Sequence, residues 1–353
     1  MQDGGSPRVL IVSNGHGEDV LGVVLAKALI ERGVTVHAFP VVGEGHSYHR
    51  AEIPVVGVQQ RMPSGGFLRQ GWRALFADVR EGFVSLTVRQ IRALRRLAKD
   101  YDWAVAMGDV YPLWLCGRHL RIPFVFVPTA KSDYIRPHLK VEVTWMRRWP
   151  AAVFPRDAKT AESLSAQGVR ATYVGNLMMD ALSRTEDPLP GSGPLVGILP
   201  GSRLEAYDNA LLQLRAVQLL PVGYRYAVAL ASELDEQHLA SKAGAYGWTW
   251  DQDETKGVAG LLGFLRSGTK EVGVYKGRFA DILHEASVIL GMAGTANEQA
   301  AGMGKPVITC AGKGPQFTEK FVAAQNRLLG DSVLVTDSTP RALAAGVMKV
   351  LQD

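Results

Sequence analysis

The chain of 353 residues carries 39 basic and 34 acidic side chains, a net charge of +5, with 47% hydrophobic and 21% charged residues. At ~100–200 residues per domain this length predicts two domains, and the composition excludes a disordered chain, a fibrous repeat and a disulfide-stapled miniprotein. No uncharged apolar run approaches the ~20 residues that span a bilayer, and the first residues show no basic-then-apolar leader pattern, so the sequence reads as cytoplasmic.

Short β-branched runs alternate with helix-length segments, the pattern of parallel sheets covered by helices on both faces. Arg8 to Ser13 reads as a buried strand, Gly17 to Glu31 as a helix stopped at Gly33, and Val34 to Phe39 as the next strand. A long helix follows, then strands over Trp103 to Met107 and Phe124 to Val127, and a helix over Asp157 to Gln167. Pro188-Leu-Pro-Gly-Ser-Gly-Pro194 has a linker's composition, which divides the chain into domains 1–185 and 186–353, with the last helix, 340–353, a candidate to join the first domain. The second half restarts with strand Leu195 to Leu199, helix Glu205 to Leu220, strand Tyr226 to Leu230 and a helix near Glu233 to Tyr246. Strand Val288 to Leu290, helix Thr295 to Met303, strand Pro306 to Thr309, helix Phe317 to Leu328 and helix Pro340 to Leu351 complete it. Cys116 and Cys310 stand far apart in apolar runs and read as core residues.

Charge is uneven: the excess of basic residues lies in the first 180 positions. From Arg61 to Asp100 basic residues predominate and Phe67, Leu68, Trp72, Leu75 and Phe76 are interleaved, a composition that suits an anionic membrane surface. The same spacing at Arg89, Arg92, Arg96 and Lys99 also fits the solvated face of a packed helix. No nucleic-acid-binding motif accompanies the charge.

Ligands of open α/β sheets bind at the carboxyl ends of strands, and the conspicuous motifs fall at such turns. Gly201-Ser202-Arg203 follows a strand and leads into a helix, joining backbone N–H groups, a hydroxyl and a guanidinium in an anion site. In Gly294-Thr295-Ala296-Asn-Glu298 small residues admit a phosphate to the backbone, and the carboxylate one turn on suits ribose hydroxyls; as an N3 residue it would merely cap the helix. Ser13-Asn-Gly15-His16-Gly17-Glu18-Asp19 brings His16, Glu18 and Asp19 to the ligand face, where His16 or Glu18 could serve as general base. Asp109, directly after a strand, is a second candidate base, or the cap of the helix beginning near Tyr111. Asp251-Gln-Asp253 reads as solvated loop, and no metal site is expected.

Ser13–Leu21, Tyr173-Val-Gly-Asn-Leu-Met-Met-Asp-Ala181, Ile198-Leu-Pro-Gly-Ser-Arg203 and Ala293-Gly-Thr-Ala-Asn-Glu298 together resemble lipid-A-disaccharide synthase and its relatives. That resemblance implies the GT-B fold, two facing Rossmann-like doubly wound α/β domains with an interdomain cleft. It makes Arg203 the phosphate-proximal arginine, Gly294 to Glu298 the UDP-binding turn and Asp109 the catalytic aspartate. By likeness to related sugar transferases, Gln316 would contact the donor sugar, and Val274, Tyr275 and Phe279 would cradle uracil. The synthase's opening Gly-Glu-x-Ser-Gly-Asp becomes Gly15-His-Gly-Glu-Asp19 here, and its Asp-Ala-Pro-Asp-Phe becomes Asp109-Val-Tyr-Pro-Leu; both departures lie on the acceptor side. The expected activity is an inverting glycosyltransferase that moves a hexosamine-type sugar from UDP to a lipid or membrane-proximal acceptor without metal or cofactor. A UDP-sugar 2-epimerase and a non-catalytic nucleotide-sugar-binding protein are the alternatives.

Overall fold

The computed structural model describes residues 6–57, 83–185, 187–252, 257–312, 314 and 317–352, with backbone alone at positions 16, 83 and 84. Contacts divide the chain into two compact units, Met1–Ala181 and Leu182–Asp353.

In the first unit β1 (Arg8–Ser13), α1 (His16–Ile30), β2 (Thr35–Pro40) and α2 (His46–Arg50) precede α3 (Phe83–Leu97), β3 (Trp103–Gly108) and α4 (Val110–His119). Then come β4 (Phe124–Pro128), α5 (Lys140–Arg148), α6 (Ala158–Ala166) and α7 (Leu177–Asp180). The strands form a parallel sheet in the order β2-β1-β3-β4. Alternate side chains of a strand point to opposite faces, so Leu10 and Val12 join one apolar cluster with Leu94 and Leu113, while Val9 and Ile11 join another with Leu21 and Ala26. On α3, Leu86, Gln90, Leu94 and Ala98 recur every four residues and are buried, which leaves Arg89, Arg92, Arg95, Arg96 and Lys99 exposed. On α3 the basic residues are the solvated face of a packed helix; Arg61, Arg69, Arg73 and Arg80, like Phe67, Leu68, Trp72, Leu75 and Phe76, lie outside the described residues.

The second unit holds β5 (Leu195–Leu199), α8 (Ala206–Leu219), β6 (Arg225–Ala229), α9 (Glu236–Gly244), β7 (Thr249–Asp251), β8 (Leu261–Ser267) and β9 (Lys270–Tyr275). It continues with α10 (Phe279–Glu285), β10 (Ala286–Gly291), α11 (Gly294–Gly302), β11 (Val307–Thr309), α12 (Glu319–Leu329), β12 (Val333–Val335) and α13 (Pro340–Gln352). Its sheet runs β12-β11-β10-β5-β6-β9-β8-β7, parallel from β12 to β9 and antiparallel beyond. The parallel part has the doubly wound strand order of dinucleotide-binding domains.

The described residues refine the organisation expected from the sequence. The segment 188–194 is no free linker: Leu189 is buried, its N–H donates to Glu285 Oε1 at 2.7 Å, and Arg225 Nε donates to Gly193 O at 3.0 Å. The unit boundary accordingly falls before it, at Ala181. Helix α13 joins the second unit, where Leu343, Ala344 and Val347 enter the core with Ala210 and Leu214 of α8. No described helix is long and apolar enough to cross a membrane.

Tyr48 is fully buried, and its hydroxyl occupies the space that a Cβ on Gly22 of α1 would need. Gly22→Ala is therefore expected to cost ~1–3 kcal/mol in urea unfolding, whereas Gly17→Ala, whose Cβ meets nothing within 4 Å, should be neutral or stabilising.

Candidate functional site

Each sheet has one topological switch point, where chain connections leave in opposite directions and a crevice opens at the carboxyl edge. In the first unit it lies between β1 and β3, and the turns after these strands meet there. Asn14 Nδ2 donates to Asp109 Oδ1 at 2.7 Å, and the same oxygen accepts from Tyr111 N–H at 2.8 Å, so Asp109 is the N-cap of α4. Burial pushes the Asp109 carboxyl above the usual carboxylate range, against the lowering effect of the Tyr111 and Asn14 hydrogen bonds. Gly15 and Gly108 have φ of +133° and +126°, and a Cβ on Gly15 would stand 2.8 Å from Glu18 Oε2. Two glycines thus make room for the Glu18 carboxylate, whose Oε1 accepts from Thr129 Oγ1 at 3.1 Å. Thr129 N–H in turn donates to Gly108 O at 3.1 Å.

Asp19 does not reach the ligand face. Its side chain is fully buried and accepts from Ser13 Oγ at 2.6 Å, with Tyr48 OH donating to Ser13 Oγ at 2.9 Å. The His16 side chain lies outside the described residues. Sequence reasoning missed Asn14 and Thr129, although both occupy the first or second position after a strand, the signal used for Asp109. It also missed Glu142, a nearly buried carboxylate that accepts from Lys131 Nζ at 2.5 and 2.6 Å, from Leu139 N–H at 3.0 Å and pairs with His138 Nδ1 at 3.2 Å. Burial would raise the Glu142 carboxyl, but His138, Lys131 and the Leu139 N–H hold it down at about 2.

In the second unit the switch point lies between β5 and β10, and the two sequence motifs flank it. Met292 N–H donates to Leu199 O at 2.8 Å, which seats the turn after β10 beside the turn after β5. Gly201, at φ +109°, opens a loop that leaves Ser202 and Arg203 exposed before α8 begins, so Ser202 does not cap that helix. Helix α11 starts at Gly294 with no side-chain cap from Ala293. Glu298 is its fifth residue, one turn in and half-buried, beyond the N3 position of a mere cap. Asn297, behind it, is fully buried and donates to Gly291 O at 3.2 Å and Gln325 Oε1 at 2.9 Å.

Other expected residues fall elsewhere. Tyr275 is a core residue, packed with Leu195, Leu261 and Ile282, and burial pushes its phenol up to about 12; Val274 is fully buried on the opposite face. Phe279 is half-buried against the Leu199 and Leu283 cluster. Asp251 belongs to strand β7 and pairs with Arg266, so it is not loop, while Asp253 and Gln316 lie outside the described residues. Both cysteines are free and buried. Among the described residues no group of three or more His, Cys, Asp and Glu side chains could hold a metal ion.

No family model matches the chain, and no curated protein does. Solved structures do resemble it. A protein assigned as a UDP-N-acetylglucosamine 2-epimerase from Listeria monocytogenes aligns with a TM-score of 0.64 at 14% identity, over 99% of this chain and 89% of that one. CalG4, the calicheamicin glycosyltransferase, aligns at 0.59 and 14% identity, over 99% and 90%. The UDP-GlcNAc 2-epimerase from Neisseria meningitidis, solved bound to UDP-GlcNAc, aligns at 0.61 and 11% identity, over 98% and 91%. At these identities the likeness shows the fold, and the chain has the GT-B fold of two Rossmann-like α/β domains.

The two site-edge carboxylates should show opposite pH signatures. Because folding raises the Asp109 pKa from 3.8, ionised Asp109 costs stability at neutral pH; Asp109→Asn, which keeps an oxygen for Tyr111 N–H, should stabilise there, the gain fading as pH falls toward 3.8 and absent below it. Folding lowers the Glu142 pKa from 4.5 to about 2, so Glu142→Gln should destabilise at neutral pH, with the deficit closing as pH falls through that window. Urea unfolding of both variants across pH checks the signs.

Proposed function

We propose that the protein is a glycosyltransferase of the inverting, metal-independent type, related to lipid-A-disaccharide synthase, which moves a hexosamine-type sugar from UDP to a lipid or membrane-proximal acceptor. One observation carries the reading: the turns Gly201-Ser-Arg203 and Gly294-Thr-Ala-Asn-Glu298 lie side by side at the switch point of the second sheet, tied by the Met292 to Leu199 hydrogen bond. An exposed arginine in the turn next to a helix N-terminus without a side-chain cap suits a diphosphate, and a carboxylate one turn along suits a ribose. The second unit is then the donor side and the Asn14, Glu18 and Asp109 edge of the first the acceptor side.

In the reaction, the acceptor oxygen attacks the anomeric carbon while the bond from that carbon to the UDP oxygen breaks. The hydroxyl proton passes to a carboxylate of the first unit, Asp109 or Glu18, or to His16. Charge developing on departing UDP would be met by Arg203 and the first N–H groups of α11.

The second reading, a UDP-sugar 2-epimerase, is favoured by the epimerase structures that resemble the chain. Incubation with UDP-N-acetylglucosamine alone separates the two: an epimerase yields the 2-epimer without an acceptor, whereas a transferase does not.

A thermal-shift comparison of UDP, GDP, TDP and CDP tests the donor assignment, with only UDP expected to raise the melting temperature strongly. Arg203→Ala should lose a charge-assisted contact of ~1.5–3 kcal/mol, roughly 10- to 100-fold in UDP affinity by calorimetry, with folding unchanged because the side chain is exposed. Glu298→Gln should weaken UDP while leaving uracil binding as it was; equal loss for both ligands would remove the ribose assignment.

A further inference from the structure

The loop that follows β4 presents apolar side chains to solvent on a fixed frame. Tyr134, Ile135, Leu139 and Val141 are 36%, 43%, 50% and 49% exposed. Slack in the chain does not explain this. Ile135 and Arg136 N–H donate to Ser132 O at 3.0 and 2.7 Å, and Asp133 N–H donates to Thr160 Oγ1 at 2.9 Å. At the other end Glu142 gathers Lys131, His138 and the Leu139 N–H. Turning Ile135 or Leu139 inward would break these bonds, and a rigidly held cluster of exposed apolar side chains marks an interaction surface.

Cations are interleaved with it. Arg136, Lys140, Arg147 and Arg148 are exposed, and Lys159 Nζ stands 4.7 Å from the centre of the Tyr134 ring. The acids of residues 131–148 scarcely oppose them, because Glu142 is buried against Lys131 and Asp133 is half-buried. Position in the fold adds a further point. This loop leaves β4 at the carboxyl edge, where Asn14, Asp109 and Thr129 lie. Unlike its first turns, whose Gln90 donates to Val41 O, the last turns of α3 lead the other way: Arg95 Nη2 lies 3.0 Å from His119 Nδ1 at the end of α4, and Asp102 N–H donates to Arg8 O at the start of β1. That is the amino edge of the sheet, a strand length or roughly 20 Å from the site.

We propose that residues 134–148 dock on an anionic lipid bilayer, so that an acceptor anchored there meets the carboxyl edge of the first sheet. The proposed lipid acceptor supplies the purpose of this surface, not its geometry. A bilayer suits it better than a protein partner because cations and a tyrosine hydroxyl alternate with aliphatic side chains, the composition of interfacial segments.

Sedimentation of the full chain with phosphatidylcholine vesicles, with and without phosphatidylglycerol, tests the proposal. Wild type should bind only the anionic vesicles and be released by high salt. Arg136→Ser with Lys140→Ser should weaken binding about 30-fold, the product of two near-surface cations. Ile135→Ser with Leu139→Ser should weaken it about 10-fold or more at unchanged melting temperature. Arg92→Ser with Arg96→Ser, on α3, should bind as wild type does. Wild-type indifference to anionic vesicles, loop variants that bind normally, or a loss confined to the α3 pair would each overturn the proposal. So would loop variants that dissociate a dimer in analytical ultracentrifugation while vesicle binding is absent, since the surface would then belong to a second copy. UDP affinity, measured separately by calorimetry, keeps the readings apart: vesicle binding as expected without UDP binding would remove the transferase reading and leave the lipid surface standing.

Discussion

Where β5 and β10 end and the chain turns toward its helices, carbonyls at the carboxyl edge leave the sheet's hydrogen-bond ladder, and buried amides take its place. Asn209 Nδ2 donates to Pro200 O at 2.9 Å and Gln213 Nε2 to Leu290 O at 3.1 Å, both from α8. Thr309 Oγ1 donates to Gly291 O at 2.6 Å, and Gln325 Nε2 to Gly294 O at 2.8 Å. A buried polar group left unpaired costs ~1–3 kcal/mol, so each of these bonds restricts the path of a turn. Together they hold two glycine turns in register at the switch point before any ligand arrives, which is what preorganised anion binding requires.

The first unit solves the same problem with different groups. Asn14 and Tyr111 N–H share Asp109 Oδ1, and Thr129 ties β4 both to the Gly108 turn and to Glu18. Capping and catalysis need not exclude one another at Asp109, since the geometry assigns only Oδ1 to the cap. The buried Asp19, Ser13 and Tyr48 chain lies beneath the same turn and fixes α1 against β1.

Strand and helix alternation was legible because the buried stretches Val9–Val12 of β1, Leu195–Leu199 of β5 and Val288–Leu290 of β10 are short apolar runs rich in β-branched residues. The turn motifs were legible for the same reason, as glycines and polar residues directly after such runs. Orientation was not. Asp19 looked like a site residue beside Glu18, yet neighbouring helix positions diverge by about 100°, and that rotation carries it into the core. Tyr275 ends a strand at the ligand edge, but its ring belongs to the face that packs on α10. The antiparallel strand β7 lacked a signal because Trp250, Asp251 and their neighbours mix charge with aromatic residues. The segment 188–194 has a linker's composition, and only the distant Arg225 and Glu285 turn it into anchored structure. Glu142 was invisible as well, since its partners Lys131 and His138 are brought to it by a loop with no local periodicity.

The donor assignment to the second unit is the central claim, and a crystal structure of the protein soaked with UDP tests it most directly. The account predicts the diphosphate on the first turn of α11 with the Arg203 guanidinium against it and the ribose hydroxyls within hydrogen-bond reach of Glu298. UDP bound away from both glycine turns, or a crystal that stays empty at saturating UDP, would contradict it.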